Sequence, residues 1–252
     1  MRNTILSIFS LILFIFSSSN SWAQTDSTVT QNPISISVDL MSRYVWRGSD
    51  FGASPSIQPG IEYSNSGFTV GAWGAYAINY QGYQESDLYV GYTFYKDMFT
   101  VMLTDYYFQS DTKNVNYFDY NKDSTGHDFE ASVIFNGTEN LPLKFMLAVN
   151  IYGADSKRIN SDGTEGDIQH STYAELTYSF KYFDLFAGAN LTAPDTDKGE
   201  TGFYGNYRGL VNLGLTATKN IKITKDYSLP ITISIITNPQ AEKVYFVAGL
   251  SF

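Results

Sequence analysis

The chain of 252 residues has no cysteine, only two histidines and few charged side chains for its length. Without cysteine, an exported chain has no disulfide scaffold, no thiol nucleophile and no thiolate ligand for a metal. Charged residues make up 16 %, whereas average soluble domains have about 25 %. Basic residues number 16 against 25 acidic ones, which argues against nucleic-acid binding because that needs clustered lysine and arginine.

Long apolar runs are missing beyond the first segment of the chain. Arg2 precedes an apolar stretch over residues 5–16, and Ser21-Trp22-Ala23 places small residues at both positions that a signal peptidase reads. We therefore expect a signal peptide over residues 1–23, a mature start at Gln24 and a short periplasmic segment over residues 24–33. Removing residues 1–23 takes away one base and no acid, so the net charge moves from −9 to −10.

Aromatic residues and period-two alternation are what the chain has in abundance. It contains 20 tyrosines and 18 phenylalanines, together with tryptophan 16 % of the residues. The last strand alternates apolar residues with small or polar ones up to the terminal Phe252, and its apolar positions are Val244, Phe246, Ala248, Leu250 and Phe252. A strand with one face in lipid and the other in a polar lumen needs this pattern. A secreted β-sandwich also alternates, but its strands are usually shorter and nothing favours a terminal phenylalanine.

Twelve segments of this kind predict an all-β protein, a transmembrane antiparallel up-and-down β-barrel of about 12 strands over residues 34–252. The expected strands are 34–48, 55–64, 67–79, 86–95, 98–109, 127–136, 141–153, 169–180, 183–193, 204–218, 228–237 and 243–252. Most reach the ~9–11 residues that a tilted transmembrane strand requires, and the even number lets both ends lie in the periplasm. The link after residue 218 is long for a periplasmic turn, so the tenth strand could extend into it.

The connections alternate short and long, as in outer-membrane barrels with short periplasmic turns and longer external loops. The long loops 109–127, 153–170 and 193–204 carry ten acids and five bases, which predicts a mild cation preference at low salt. Aromatic residues gather at the strand ends and predict two interfacial girdles. The periplasmic girdle would hold Tyr63, Tyr95, Phe99, Phe180, Phe183 and Phe252, and the outer one Tyr44, Trp46, Tyr76, Tyr80, Phe108, Tyr152 and Tyr207.

The first third of the chain carries a family resemblance. Ser42-Arg-Tyr-Val-Trp-Arg-Gly48 is followed by Pro55-Ser-Ile-Gln-Pro-Gly60, then by Gly67-Phe68, Gly71-Ala-Trp-Gly74 and Glu85-Ser-Asp-Leu-Tyr-Val-Gly-Tyr92. Over residues 38–92 this series resembles the TorF family of outer-membrane porins. The resemblance implies a barrel fold and a channel function. Where that family usually continues its Arg-Gly with Ser-Gln, this chain has Ser49-Asp50.

Charged and polar residues on the inward face of the expected strands are the candidate pore-lining residues: Asp39, Arg43, Arg47, Gln58, Glu62, Asp87, Glu130, Lys144, Glu175 and Arg208. Opposed acids and bases across a narrow pore would orient hydrated solutes and set selectivity. The same residues could instead form an internal network that plugs the barrel. A twelve-strand barrel lies between filled eight-strand and open sixteen-strand types, so both interpretations stay open.

Chemistry other than transport has weak support. His127 and His170 are followed by Asp128 and Ser171, but neighbours on a strand face opposite sides, so no nucleophile is paired with its base. Residues 119–130 place oxygen ligands at four positions of a calcium loop, yet Ser124 stands where glycine is needed.

We therefore expect no enzymatic activity and no cofactor. We expect an outer-membrane barrel acting as a passive channel for small hydrophilic solutes. The alternative is a non-conducting structural or adhesive barrel that works through its external loops. The expected partners are outer-membrane lipid, the barrel-assembly machinery through Phe252, and the solutes themselves, with no nucleic acid.

Overall fold

A computed structural model describes residues 32–79, 84–109 and 116–252. Within these ranges, twelve antiparallel strands close into a barrel, and two short hairpins stand apart from its wall. The strands are β1 (Ile34–Met41), β2 (Val45–Trp46), β3 (Ser49–Asp50), β4 (Ser56–Asn65), β5 (Phe68–Ala77), β6 (Gln84–Phe94), β7 (Phe99–Gln109), β8 (His127–Phe135), β9 (Leu143–Gly153), β10 (Lys157–Ile159), β11 (Glu165–Ile168), β12 (Thr172–Ser179), β13 (Asp184–Asn190), β14 (Gly209–Lys222), β15 (Ser228–Asn238) and β16 (Lys243–Ser251). Residues 196–198 form a short 3-10 helix. No helix in the described ranges is long and apolar enough to span a membrane.

The barrel wall follows the order of the chain. Its strands run β1, β4, β5, β6, β7, β8, β9, β12, β13, β14, β15 and β16, and β16 returns to β1. The closing seam pairs Asp39 with Ser251, and the backbone of Val38 exchanges two hydrogen bonds with that of Phe252. β2 pairs with β3 in an inner hairpin, and β10 pairs with β11 in a loop hairpin. The expected twelve-strand antiparallel barrel is confirmed.

The strands form where apolar and polar residues alternate, because that alternation matches the pleat. Along β6, Leu88 and Val90 are exposed on the outside while Asp87 and Tyr89 are buried on the inside. Tight turns join the strands at the end that holds both termini, which we call the terminal end. Ser66-Gly67 is one such turn, with positive φ at both residues as a two-residue hairpin requires. The opposite end, with the longer connections, is the loop end.

Several strand boundaries differ from those expected, most of them by one to three residues, and two strands differ by more. The first strand was expected to reach residue 48 but ends at Met41, and the chain then turns inward. Arg47 and Gly48 have φ values of 48° and 79°, a left-handed backbone that no continuous strand adopts. The tenth barrel strand, β14, begins at Gly209 rather than 204 and continues to Lys222, so its expected extension is confirmed.

The terminal-end girdle is present, since Tyr63, Tyr95, Phe180 and Phe252 are exposed at that end, with Phe99 and Phe183 packed beside them. The loop-end girdle is partly wrong: Tyr44, Trp46 and Phe108 belong to an aromatic core inside the barrel. Tyr76, Tyr152 and Tyr207 are exposed as expected, and Tyr80 lies outside the described residues. The signal segment 1–23 and residues 24–31 also lie outside them and stay predictions.

Candidate functional site: the inner hairpin and its cage

The centre of the molecule is a hairpin folded into the barrel lumen. Residues 44–51, which we call the inner hairpin, carry Tyr44, Trp46 and Phe51 into an aromatic core. The core is completed by residues from the wall and from the connection between β13 and β14: Trp73, Tyr89, Tyr106, Phe108, Tyr173, Phe203, Tyr204 and Val211. Burying such aromatic side chains contributes about 1.5–3 kcal/mol each, so the hairpin docks as a packed element.

Arg47 lies at the tip of the inner hairpin and is 5 % exposed. Its two terminal nitrogens face the two carboxylate oxygens of Glu130 on β8; Nη2 to Oε1 measures 2.9 Å, and Nη1 contacts Oε2. The guanidinium carbon lies 4.5 Å from the ring centroid of Trp46, 4.6 Å from that of Tyr173 and 5.3 Å from that of Tyr204. We call Glu130 and these three rings the cage.

The cage carboxylate is itself held by two phenols. The Tyr106 hydroxyl donates to Glu130 Oε1 at 3.2 Å, and the Tyr204 hydroxyl donates to Oε2 at 3.0 Å. Every oxygen of Glu130 therefore has a donor besides the guanidinium, which fixes the plane of the carboxylate. A paired, two-pronged arginine–carboxylate contact of this kind is strong and directional.

The backbone of the hairpin tip sits against the barrel wall. Asn238 on β15 donates its side-chain N–H to the Gly48 carbonyl oxygen at 3.1 Å. A Cβ added at Gly48 would lie 1.9 Å from the Val211 carbonyl oxygen, so only glycine fits there. At the base of the hairpin, Arg43 pairs with Asp50. The hairpin is thus clamped at its tip and at its base.

Acidic side chains outnumber basic ones around the cage. Asp128 on β8 is fully buried, and among the described residues neither of its carboxylate oxygens has a hydrogen-bond partner. It lies close enough to Glu130, Asp155 and Arg47 to interact with them electrostatically. Asp87 and Glu85 add two more buried carboxyls on β6.

The lumen toward the terminal end has a different character. Glu62 accepts a hydrogen bond from the Tyr89 hydroxyl at 2.9 Å, and Glu175 accepts bonds from Tyr173 and, at 2.9 Å, from Asn212. Pairs of small hydroxyl side chains line β14 and β15, with Thr216 2.8 Å from Ser234. Apolar side chains share this half, since Ile134 on β8 and Met146 on β9 are buried on the inward face of the wall.

The ten candidate pore-lining residues divide into two groups. Seven stand on the inward face of barrel strands: Asp39, Gln58, Glu62, Asp87, Glu130, Lys144 and Glu175. Arg43 and Arg47 do not, because the chain has left the wall after Met41, and Arg208 is exposed just before β14. The structure brings Arg47 to Glu130, places Asp39 opposite Gln58 across β1 and β4, and brings Lys144 close enough to Glu175 for an electrostatic interaction. Their role in lining a pore stays a prediction.

Sequence reasoning missed the partners that make the cage. Tyr106, Tyr173 and Tyr204 come from three distant parts of the chain, and Trp46 was assigned to a girdle. The signal available in the sequence was the Arg47-Gly48 pair, since glycine after a run of alternating residues marks a turn.

The partner of His127 is Asp105 on the adjacent strand and not Asp128, its neighbour in sequence. His127 faces outward on β8, and its Nδ1 lies 2.8 Å from an oxygen of Asp105 on β7. Its Nε2 lies 2.6 Å from the Tyr117 carbonyl oxygen, and the ring stacks on Tyr120. With both nitrogens engaged, His127 holds the connection before β8 against the outside of the barrel. His170 bonds the Asn150 carbonyl oxygen instead.

The calcium loop suggested by residues 119–130 does not assemble. Asp119 accepts bonds from Asn121 and Ser124 within a tight turn, whereas Glu130 points into the lumen toward Arg47. Among the described residues, histidine and acidic side chains form no group of three or more that could hold a metal ion.

A second carboxylate ties two connections together at the loop end. Glu200 is buried and accepts hydrogen bonds from the backbone N–H groups of Asp195 at 2.7 Å and Ile159 at 2.9 Å, and from Arg158 at 2.8 Å. These donors, the two backbone groups first, lower the pKa of Glu200 to about 2. The loop hairpin is thereby fastened to the connection that carries Tyr204.

Comparison with known proteins yields one family and several distant structures. A family model described as a bacterial protein of unknown function (Gcw_chp) matches residues 23–171. No curated protein matches the chain. Among solved structures, the chain is similar to one titled "KdgM porin", with a TM-score of 0.44 and 10 % identity over 86 % of this chain and 98 % of that one.

Two further structures show similar likeness. For a NanC porin structure the TM-score is 0.47 and the identity 12 %, over 86 % of this chain and 98 % of that one. For OccD1 (OprD) the TM-score is 0.31 and the identity 11 %, over 87 % of this chain and 65 % of that one. At these scores the likenesses carry no functional argument, so the function has to be inferred from the chain's own geometry.

Proposed function

Because the chain belongs to the Gcw_chp family of bacterial proteins, whose function is unknown, we propose a function from its geometry. It is an outer-membrane barrel that conducts small hydrophilic solutes through a lumen that the inner hairpin closes at the loop end. The segment 38–92 that resembles the TorF porins lies within the matched residues 23–171, and the resemblance supports the same function.

The contrast between the outward and inward faces of the barrel wall supports the proposed outer-membrane location. Exposed apolar side chains cover the outside, as Leu88, Val90, Leu103 and Val133 illustrate on three successive strands. The inward face of those strands carries acids, hydroxyls and tyrosines. Lipid outside and a polar interior produce this distribution, and aromatic residues at the terminal end match an interfacial girdle.

The observation that carries the channel function is the nature of the closure. The inner hairpin belongs to the fourteen-residue connection between β1 and β4, and it fills the loop end together with Phe203, Tyr204 and inward aromatic residues of the wall. The cage and the Asn238 contact hold it in place, whereas the terminal half of the lumen carries Glu62, Lys144, Glu175 and hydroxyl groups beside the apolar Ile134 and Met146. A closure that can detach from an intact wall allows the lumen to open without unfolding the barrel.

Single-channel recording of the purified protein in planar bilayers tests this proposal. We expect the wild-type protein to conduct rarely, and Arg47→Ala to conduct in larger and longer steps because the tip loses its ion pair with Glu130. Lys157→Ala, at the loop hairpin and away from the cage, is the matched control and should behave like the wild type.

The second candidate is a non-conducting structural or adhesive barrel. The specific observation that favours it is the filled loop end, where the cage residues are almost wholly buried. If the wild-type protein and Arg47→Ala both insert into bilayers but neither conducts, this candidate replaces the channel.

A further inference from the structure

The cage around Arg47 has the features of a ligand site whose occupant is part of the chain. A carboxylate meets the two terminal nitrogens of the guanidinium, and rings of Trp46, Tyr173 and Tyr204 surround the cation within 4.5–5.3 Å of its carbon. Recognition sites for organic cations combine the same elements, a carboxylate and aromatic faces.

Arg47, which occupies the cage, belongs to the inner hairpin, whereas most residues of the cage do not. Glu130 lies on β8 and Tyr173 on β12, both in the wall, and Tyr204 lies in the connection between β13 and β14 that Glu200 fastens to the loop hairpin. Only Arg47 and Trp46 belong to the hairpin. When the hairpin leaves, the wall presents a carboxylate and two rings to the lumen with no counter-ion.

The charge around the cage favours a cation in that open state. Asp128 is fully buried, and within the described residues its carboxylate oxygens have no hydrogen-bond partner; it interacts with both Glu130 and Arg47. With Arg47 gone, Glu130 loses its cationic partner, and Asp128 lies close beside it. The long loops around the mouth also carry an excess of acids, which raises the local concentration of cations.

The shape of the cage selects among cations. The carboxylate plane is fixed by the Tyr106 and Tyr204 hydroxyls, so it offers two parallel acceptors to a planar group with two N–H donors. A guanidinium satisfies both acceptors and stacks on the rings at once. A compact ammonium can meet one acceptor and keeps a larger hydration cost.

We propose that the part of the cage formed by Glu130, Tyr173 and Tyr204 is a binding subsite for guanidinium-bearing solutes. Arg47 occupies this subsite as an internal substitute for the ligand. The inference deepens the proposed channel function and rests on it for its physiological meaning. A solute that takes the cage competes with Arg47, so binding and release of the inner hairpin are coupled.

The test uses ethylguanidinium and its neutral counterpart of the same shape, ethylurea, with the full-length protein in detergent. In Arg47→Ala, ethylguanidinium should bind at least about tenfold more tightly than ethylurea and raise the unfolding temperature, because it restores the missing charge-assisted pair. Adding Glu130→Gln to Arg47→Ala should abolish that preference. Equal effects of the two compounds on Arg47→Ala would overturn the proposal.

The wild-type protein supplies a measurement that does not depend on the folding of a variant. The chain expected after removal of residues 1–23 has two tryptophans, Trp46 and Trp73, and both lie in the aromatic core. Ethylguanidinium should increase acrylamide quenching of their fluorescence by displacing the hairpin, and ethylurea should not. If neither compound changes the quenching while Arg47→Ala also fails to discriminate between them, the subsite does not exist.

The test of the cage and the test of the channel function can fail independently of each other. Selective binding of ethylguanidinium to a protein that never conducts would support the cage and refute the channel. A conducting Arg47→Ala whose current and stability respond equally to both compounds would support the channel and refute the cage.

Discussion

At the scale of single residues, burying the charges of Arg47 and Glu130 at the centre of the protein costs desolvation free energy. Taking two charges out of water costs more than their attraction returns unless further hydrogen bonds support them, and well-packed apolar residues would often be at least as stable. Here the Tyr106 and Tyr204 hydroxyls and three ring faces supply that support. A pair kept at such cost serves the placement of the inner hairpin more than the stability of the wall.

The first prediction is strong coupling between the two charges. Glu130→Gln should destabilise the barrel by about 3–5 kcal/mol, since it leaves the buried Arg47 uncompensated. Arg47→Met combined with Glu130→Gln should cost clearly less than the two single changes added together. Thermal unfolding in detergent, followed by heat-modifiable migration on gels, measures all three variants. Additive effects would mean that the two side chains do not act as a pair.

At the scale of elements, the inner hairpin depends on its tip backbone as much as on its side chains. Gly48 has a φ of 79°, and a Cβ there would meet the Val211 carbonyl oxygen at 1.9 Å. Gly163, at the tip of the loop hairpin, has a similar φ of 82°, but a Cβ there has no neighbour within 4 Å. Comparing alanine substitutions at the two glycines therefore separates the free-energy cost of a left-handed backbone from that of a steric clash.

The second prediction uses that contrast. Gly48→Ala should undock the inner hairpin, shift the emission of Trp46 and Trp73 toward longer wavelength and increase its quenching by acrylamide. Gly163→Ala should cost only the backbone strain, about 1 kcal/mol, and leave the fluorescence unchanged. If both variants keep the wild-type spectrum, the tip tolerates displacement and does not hold the hairpin.

The third prediction concerns the clamp that Glu200 makes between two connections. Its pKa is lowered to about 2 by backbone N–H groups and Arg158, so the stabilisation is present above the ordinary value near 4.5 and is lost as the pH falls toward 2. We expect the Ile159 and Asp195 amides to stay protected from hydrogen exchange at pH 5 and to lose protection below about pH 3. Glu200→Gln should reduce their protection already at neutral pH.

Asp197 provides the matched control for that clamp, since it is an exposed acid in the same connection. Asp197→Asn should leave both amides as protected as in the wild type. Protection that falls equally in both variants would assign the effect to general loop charge rather than to the Glu200 contacts.

At the scale of the whole molecule, alternation with a period of two was enough to predict the wall but not its contents. All twelve wall strands follow that pattern, because a pleat between lipid and a polar lumen permits little else. The same pattern continues through Arg43, Tyr44, Val45, Trp46 and Arg47, so it could not distinguish a wall strand from a hairpin inside the lumen. The difference lies in the backbone turn at Arg47 and Gly48 and in contacts with Glu130, which is 83 residues away in sequence.

The fourth prediction concerns closure of the barrel. The seam between β1 and β16 ends in two backbone hydrogen bonds between Val38 and Phe252. Deleting Phe252 removes both and should sharply reduce the heat-modifiable, membrane-inserted form. Phe252→Ala keeps both bonds and loses only the ring. An equal defect in the two variants would point to reading of the ring during assembly, and a defect in the deletion alone would point to the seam.

The inner hairpin is the element whose departure opens the lumen. The single-channel conductance of a variant in which residues 43–51 are replaced by a flexible glycine-serine linker tests this most directly. Circular dichroism and heat-modifiable migration establish first that the barrel is intact. We expect steady, discrete current steps from this variant, whereas the wild type conducts rarely. A folded, inserted variant that carries no current would contradict it.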